Sequence, residues 1–165
     1  MSSTPYKVLF LCTGNSARSI MAEHILRARG AGRFETFSAG SHPAGRVNPF
    51  ALEILQQHQI ATDGARSKSW DEYRGVKFDF VITVCDHAKE SCPVWPGQPV
   101  IAHWGSPDPA AVEGTDEIKR RMFLNVFSQI ASRISIFCAF RDDQLDEWNV
   151  RTVGTQFPFE TSSRT

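Results

Sequence analysis

The feature that most constrains the fold is a short apolar run, residues 6–11, which ends in a loop containing Gly14. Near-continuous apolarity over so few residues is typical of a strand in a parallel sheet that is covered on both faces. Directly after the loop, residues 19–29 place apolar side chains among good helix formers, and Gly30 follows where a helix C-cap is expected. The sequence therefore predicts a strand–loop–helix unit at the start of the chain.

The same alternation continues. Further strands are predicted at residues 35–38, 78–84 and 100–103. Asn48 and Pro49 form an N-cap and first-turn pair, Ser69 opens a capping box, and residues 115–140 show helical spacing. Alternating strands and helices imply right-handed crossovers and a doubly wound α/β sheet of about four strands, with helices on both faces. Ligands of such sheets bind beyond the carboxyl ends of the strands, where Cys12, Cys85 and the segment after His103 are placed.

The length and charge of the chain limit the possible functions. A chain of 165 residues suits one domain, which we assign to residues 1–140, and the polar residues 141–165 are expected to form a loose, partly disordered extension. Lysine and arginine together number 18, as do aspartate and glutamate, so no net charge attracts nucleic acid or an acidic membrane. Anion binding must therefore come from a local site.

Compartment and membrane contact follow from the apolar runs. No apolar run in the sequence approaches the ~20 residues that are needed to span a bilayer. The first residues also lack the pattern of a secretory signal. We therefore expect a cytoplasmic protein without a membrane partner. In a reducing compartment its four cysteines are more often catalytic or metal-binding than joined in structural disulfides.

The most informative segment runs from Cys12 to Ser19 and is called the anion loop below. It leaves a strand and enters a helix, so backbone N–H groups and the helix dipole converge on an anion. Arg18 adds a planar fork that holds two oxygens of a tetrahedral ion. The residues expected to bind the oxyanion are Thr13, Gly14, Asn15, Ser16, Ala17, Arg18 and Ser19.

The positive field of the anion loop is expected to lower the pKa of Cys12, and Ser19 can donate a hydrogen bond to its thiolate. A thiolate below an oxyanion suits attack on phosphorus or arsenic. The alternative is a buried cysteine that only ends a strand, with Arg18 on a solvated helix face.

The anion loop and residues 20–23 (Ile-Met-Ala-Glu) resemble the low-molecular-weight protein tyrosine phosphatase superfamily, and its arsenate reductase branch most of all. The resemblance runs from about residue 8 to residue 140 and includes residues 37–40, 66–69 and 103–105. It implies a flavodoxin-like fold with a four-stranded parallel sheet. It also implies reduction of arsenate to arsenite, with no cofactor required, phosphate or sulfate as competing anions, and thioredoxin as reductant.

Asp108 lies between two prolines after the fourth predicted strand. Taken alone, Pro-Asp-Pro is most often a turn, although a carboxyl group held there could act as a general acid. The resemblance favours the second interpretation, because family members place their general acid in an Asp-Pro at this position.

Cys85 ends a buried strand and Cys92 follows it within a segment, residues 85–98, that we expect to form a mobile loop. They are either ordinary small apolar residues or, with His87 and His103, ligands of a metal. The metal interpretation is weak because the compact Cys-x2-Cys spacing of zinc sites is missing. The resemblance implies a third role, in which a disulfide passes from Cys12–Cys85 to Cys85–Cys92.

Two other functions stay open. A phosphatase needs only Cys12, Arg18 and Asp108, with water resolving a phosphocysteine. A redox or metal sensor would need a partner-binding element that the sequence does not offer. Cys138 is expected to lie in the core. The resemblance also implies a possible potassium ion behind the anion loop, bound partly by residues Asn15, Glu23 and Ser38. Alternatively, Asn15 only braces the loop by hydrogen bonding.

Overall fold

The structure, a computed structural model, describes residues 4–156. Its strands and α-helices, in chain order, are β1 Tyr6–Cys12, α1 Arg18–Arg29, β2 Phe34–Gly40, α2 Pro49–Gln57, β3 Phe80–Thr83, α3 Asp86–Ser91, β4 Val100–His103, α4 Asp116–Ala139 and α5 Glu147–Val153. Short 3₁₀ helices cover Trp70–Tyr73, Pro109–Ala111 and Asp142–Gln144. The predicted alternation of strands and helices is confirmed.

The four strands form one parallel sheet in the order β2-β1-β3-β4. Its register pairs Leu9 of β1 with Phe37 of β2 on one side and with Val81 of β3 on the other. The order reverses direction between β1 and β3, and in doubly wound sheets this switch point opens a crevice at the carboxyl ends of the strands. The predicted four-stranded, flavodoxin-like α/β sheet is confirmed, and Cys12 and Cys85 flank its switch point.

Both faces of the sheet are covered, as the apolar strands require. Phe34 and Phe80 contact Phe137 of α4, with ring centroids 4.9 and 5.3 Å apart. On the opposite face Phe37 contacts Tyr73 of the first 3₁₀ helix at 5.4 Å. Because neighbouring side chains of a strand alternate between faces, Phe34 and Phe37 bury opposite sides of β2.

Helix α4 is long and apolar enough, by length and composition alone, to cross a membrane. Half of its most apolar stretch is buried inside the protein, with Phe123, Val126 and Ile134 almost fully covered. A core helix has the same composition, so this feature is weak support for a membrane span.

The expected loose extension is wrong for residues 141–156. Helix α5 packs against β4, its Val150 and Val153 are buried, and the indole Nε1 of Trp104 donates to the Val150 carbonyl at 2.9 Å. The composition of this stretch is polar because only one side of a short helix is apolar. The folded domain therefore extends beyond residue 140 to at least residue 156, whereas residues 157–165 lie outside the described part of the chain.

The expectation of a loop over residues 85–98 is wrong for its first half, which forms α3. The Sγ of Cys85 caps this helix by accepting a hydrogen bond from the Ala88 N–H at 3.4 Å. The cysteine thus replaces the oxygen side chain that usually starts a helix.

Candidate active site

The anion loop turns its carbonyl groups outward. The carbonyls of residues Cys12, Thr13, Gly14 and Ser16 accept hydrogen bonds from the backbone N–H groups of residues Ser41, His42, Ala44 and Asn48, respectively, at 2.8–3.2 Å. In a trans peptide the N–H of the next residue points opposite to the carbonyl. The N–H groups of residues 13, 14, 15 and 17 are therefore directed to the inner side of the loop, where the dipole of α1 adds positive potential.

Two residues fix the path of the loop. Asn15 adopts a left-handed backbone conformation, with φ of 46°. Gly40 at the end of β2 lies so close to the loop that a Cβ there would meet the Thr13 carbonyl oxygen at 2.5 Å. At Gly14, by contrast, a Cβ would make only ordinary contacts at 3.7 Å and beyond. Gly40 is thus the glycine that close backbone packing requires.

Arg18 joins the anion loop to the segment that carries Asp108. Its Nη1 donates to the Ser106 carbonyl at 2.8 Å, and its Nη2 lies 3.9 Å from the Asp108 Oδ2. The Asp108 side chain is 43% exposed and caps a 3₁₀ helix by accepting from the Ala110 N–H. The predicted guanidinium and the predicted acid therefore lie side by side at the mouth of the loop.

The thiols of Cys12 and Cys85 are neighbours, and a hydrogen bond between them is the largest influence on the pKa of each. Cys12 is 4% exposed and Cys85 is also buried. The bond to Cys85, together with burial, raises the pKa of Cys12. The bond from Cys12 lowers the pKa of Cys85 to about 5, with support from Thr13 Oγ1 at 3.4 Å and from the Ala88 N–H.

The pair therefore holds one negative charge, because a second thiolate beside the first would be repelled. Thr13 Oγ1 and the Ala88 N–H, both 3.4 Å from the Cys85 Sγ, favour this charge on Cys85. The predicted lowering of the pKa applies to the pair but falls on Cys85 rather than on Cys12. The predicted bond from Ser19 to Cys12 stays a prediction; Ser19 Oγ accepts from Asn15 Nδ2 at 2.8 Å.

Cys92 caps the other end of α3 and is half-buried. It lines a cavity of 310 Å³ together with Thr83, Lys89 and Arg151. At 1.5 Å per residue, the helix separates the Cα atoms of Cys85 and Cys92 by roughly 10 Å, whereas a disulfide needs them within ~7 Å. A bond between these cysteines therefore requires α3 to unwind.

The structure does not assemble the alternative metal site. Within residues 4–156 no group of three or more histidine, cysteine, aspartate or glutamate side chains is arranged to hold a metal ion. His103 instead bonds to Thr83 Oγ1 through Nδ1 at 2.8 Å and to Asp86 Oδ1 through Nε2 at 2.9 Å. It thereby ties the first residue of α3 to β4.

The residues expected to hold potassium do come together behind the loop, but a lysine lies among them. The Lys68 Nζ is 3.2 Å from Ser38 Oγ, 3.4 Å from Asn15 Oδ1 and 3.8 Å from Glu23 Oε1. A protein ammonium group therefore fills the space that the cation would need. These residues do not fit a bound potassium ion.

The sequence interpretation did not assign a role to Lys68 or Arg133. Arg133 is 2% exposed and donates to the carbonyls of Gly105, Gly154 and Gln156, so it fastens the Asp108 segment to the end of the domain. The sequence signal that could have identified Arg133 is its position, as a charged residue, on the apolar side of the helix predicted for residues 115–140. Cys138, expected in the core, is half-buried, and burial raises its pKa.

A buried thiol within an N–H-lined loop, with a guanidinium and a carboxyl group at its mouth, is the arrangement expected of α/β enzymes that act on tetrahedral oxyanions. The family model of the low molecular weight phosphotyrosine protein phosphatases matches residues 7–147. The chain belongs to this family.

Arsenate reductases are among the relatives of this chain. The arsenate reductase of Halalkalibacterium halodurans is 39% identical over 130 residues, which cover 79% of this chain and 93% of the relative. A thioredoxin-dependent arsenate reductase of Corynebacterium glutamicum has 29% identity and a TM-score of 0.59, covering 82% of this chain and 61% of that one. An arsenate reductase in a phosphate-binding state has 27% identity and a TM-score of 0.63, and the match covers 81% of this chain and 97% of that one.

Proposed function

We propose that this protein reduces arsenate to arsenite by a relay of three cysteines, and that a dithiol protein, thioredoxin, restores the reduced enzyme. The contact between Cys12 and Cys85 carries the proposal, because hydrolysis of a phosphate ester gives a second thiol beside the nucleophile no task. The names of the relatives and the arsenate reductase branch of the family support the same activity.

The reaction begins when arsenate binds to the N–H groups of the anion loop and to Arg18. The Cys85 thiolate accepts the proton of Cys12, and the Cys12 sulfur then attacks arsenic. Asp108, in its protonated form, donates to the departing oxygen, which leaves as water. The product of this step is a Cys12 thioester of arsenic(V).

The second step transfers two electrons to arsenic. The Cys85 sulfur attacks the Cys12 sulfur, the sulfur–arsenic bond breaks, and its electron pair stays on arsenic, which leaves as arsenite. The proton that Cys85 received passes to an arsenite oxygen. A Cys12–Cys85 disulfide is formed, so the two thiols are oxidised as arsenic(V) becomes arsenic(III).

The third step moves the oxidation outward. The Cys92 thiol releases its proton as its sulfur attacks Cys85, and Cys12 leaves and takes up a proton, which gives a Cys85–Cys92 disulfide. Because α3 keeps Cys85 and Cys92 apart, the helix must unwind before this bond forms. The disulfide then lies in a segment that thioredoxin can reduce. This chemistry requires a reducing compartment such as the cytoplasm, and phosphate and sulfate compete for the loop.

The test is turnover of arsenate with thioredoxin, thioredoxin reductase and NADPH. We expect Cys12→Ser, Cys85→Ser and Cys92→Ser each to abolish turnover, whereas Cys138→Ser, the matched control, retains it. Hydrolysis of para-nitrophenyl phosphate is measured in parallel. If Cys85→Ser and Cys92→Ser turn over arsenate like the wild type, the relay is wrong. If the wild type hydrolyses the ester but forms no arsenite, the protein is a phosphatase.

A further inference from the structure

A buried ammonium group lies directly behind the anion loop. Lys68 is 6% exposed, and its Nζ donates to the Arg66 carbonyl at 3.0 Å as well as to Ser38 Oγ and Asn15 Oδ1. The Glu23 carboxylate completes the surroundings at 3.8 Å. Four oxygen atoms from three separate parts of the chain thus surround one positive charge.

These contacts lead to the loop through Asn15. The Asn15 amide donates to Ser19 Oγ and to Ser38 Oγ, at 2.8 and 3.0 Å. Its carbonyl oxygen accepts from both the backbone N–H and the ammonium group of Lys68. Since every hydrogen-bonding position of this side chain is used, the left-handed conformation of Asn15, and with it the direction of the loop N–H groups, is fixed from behind.

Neutralising Glu23 does not require Lys68. Arg27 already pairs with the Glu23 Oε2, and Ser38 donates to its Oε1. Burial is unfavourable for an ammonium group and lowers the pKa of Lys68. The buried Lys68 ammonium group donates to Asn15 and Ser38, which support the anion loop. This support of the loop is therefore a reason for a charge to be buried here.

We propose that Lys68 is a positioning residue that serves as a built-in cation: its ammonium group holds the anion loop ready for the oxyanion, and the protein therefore needs no bound potassium. The inference rests on the anion-binding part of the proposed function. It goes beyond it by stating which group sets the loop and that the site is insensitive to monovalent cations. Removing the ammonium group should open a space that a potassium ion can fill.

The experiment measures phosphate binding by calorimetry and the thermal unfolding midpoint of the full chain. Both are measured in potassium chloride and, at equal ionic strength, in choline chloride, whose cation is too large for the space. We expect the wild type to give the same values in both salts. In choline chloride, Lys68→Ala should bind phosphate about tenfold more weakly than the wild type, which is the size of effect seen for other residues that support a binding site. In potassium chloride its phosphate affinity should recover. The thermal unfolding midpoint of Lys68→Ala should likewise be lower in choline chloride than in potassium chloride.

Exposed Lys77 provides the matched control, and Lys77→Ala should behave as the wild type in both salts. If Lys68→Ala does not fold in either salt, Lys68→Gln removes the charge while keeping most of the volume. It should bind phosphate more weakly than the wild type in both salts.

Three results would overturn the inference: wild-type affinity of either variant in choline chloride, a Lys68→Ala protein indifferent to potassium, or a wild type that itself gains affinity or stability from potassium. If the wild type binds no phosphate in either salt, the proposed anion site fails. The salt dependence of the Lys68→Ala midpoint still decides the role of Lys68.

Discussion

Cys12 and Cys85 lie at the ends of two adjacent parallel strands and meet at the switch point of the sheet. A hydrogen bond between their thiols is the largest influence on the pKa of each. Cys12 ends β1 and Cys85 directly follows β3 through Val84, so the order of the strands alone brings the two sulfurs together. The proposed nucleophile and the thiol proposed to resolve it are therefore adjacent.

The shared hydrogen bond predicts an unusual titration. The pKa of Cys85 is lowered to about 5, so its thiolate is present at neutral pH and disappears as the pH falls through about 5. Thiolate absorbance in the ultraviolet should follow this course. In Cys12→Ala the midpoint should rise towards the ordinary value for a thiol, because the largest cause of the shift is removed. A wild-type midpoint near that ordinary value would contradict the assignment.

Unwinding of α3 is the second prediction. When the Cys85–Cys92 disulfide forms, the cap from Cys85 Sγ to the Ala88 N–H is lost. Amide hydrogen exchange of residues 86–91 should therefore be faster in the oxidised protein than in the reduced protein. Exchange in α2, Pro49–Gln57, serves as the internal control. Equal protection of α3 in both states, with the disulfide shown by mass mapping, would mean that the helix does not need to open.

Asp108→Asn should lower the rate constant for arsenate reduction by about 10²–10⁴-fold, because the departing oxygen loses its proton donor. Stability should change little, since the side chain is exposed and its cap to the Ala110 N–H can be made by the amide oxygen. Asp143→Asn, an exposed site that pairs with Arg141, is the control. Rates near the wild-type value for Asp108→Asn would remove this residue from the chemistry.

The C-terminal helix contributes to stability. Val150 is fully buried, and Val150→Ala should lower the free energy of unfolding by ~1–2 kcal/mol through lost burial and a small cavity. On the same helix Trp148 is 79% exposed, so Trp148→Ala should change the free energy of unfolding by less than ~0.5 kcal/mol. Urea unfolding measures both variants. Equal effects would indicate that α5 is not packed as described.

Much of the fold was predictable because its strands are short apolar runs and three of its α-helices carry ordinary caps, as with Asn48 before α2. The site was predictable where chemistry-bearing residues follow strands, as Cys12, Cys85 and Asp108 do. Helix α5 was missed because a single buried side in a polar stretch gives little periodic signal. The network of Lys68 and the state of the thiol pair depend on contacts between residues far apart in the chain, which no local pattern records.

The central claim is tested most directly by a single turnover of Cys92→Ser with arsenate and no external reductant. The relay then stops after its second step, so we predict one arsenite released per chain and a disulfide between Cys12 and Cys85, found by mass mapping. Absence of arsenite, or arsenite released while Cys85 stays reduced, would contradict the account.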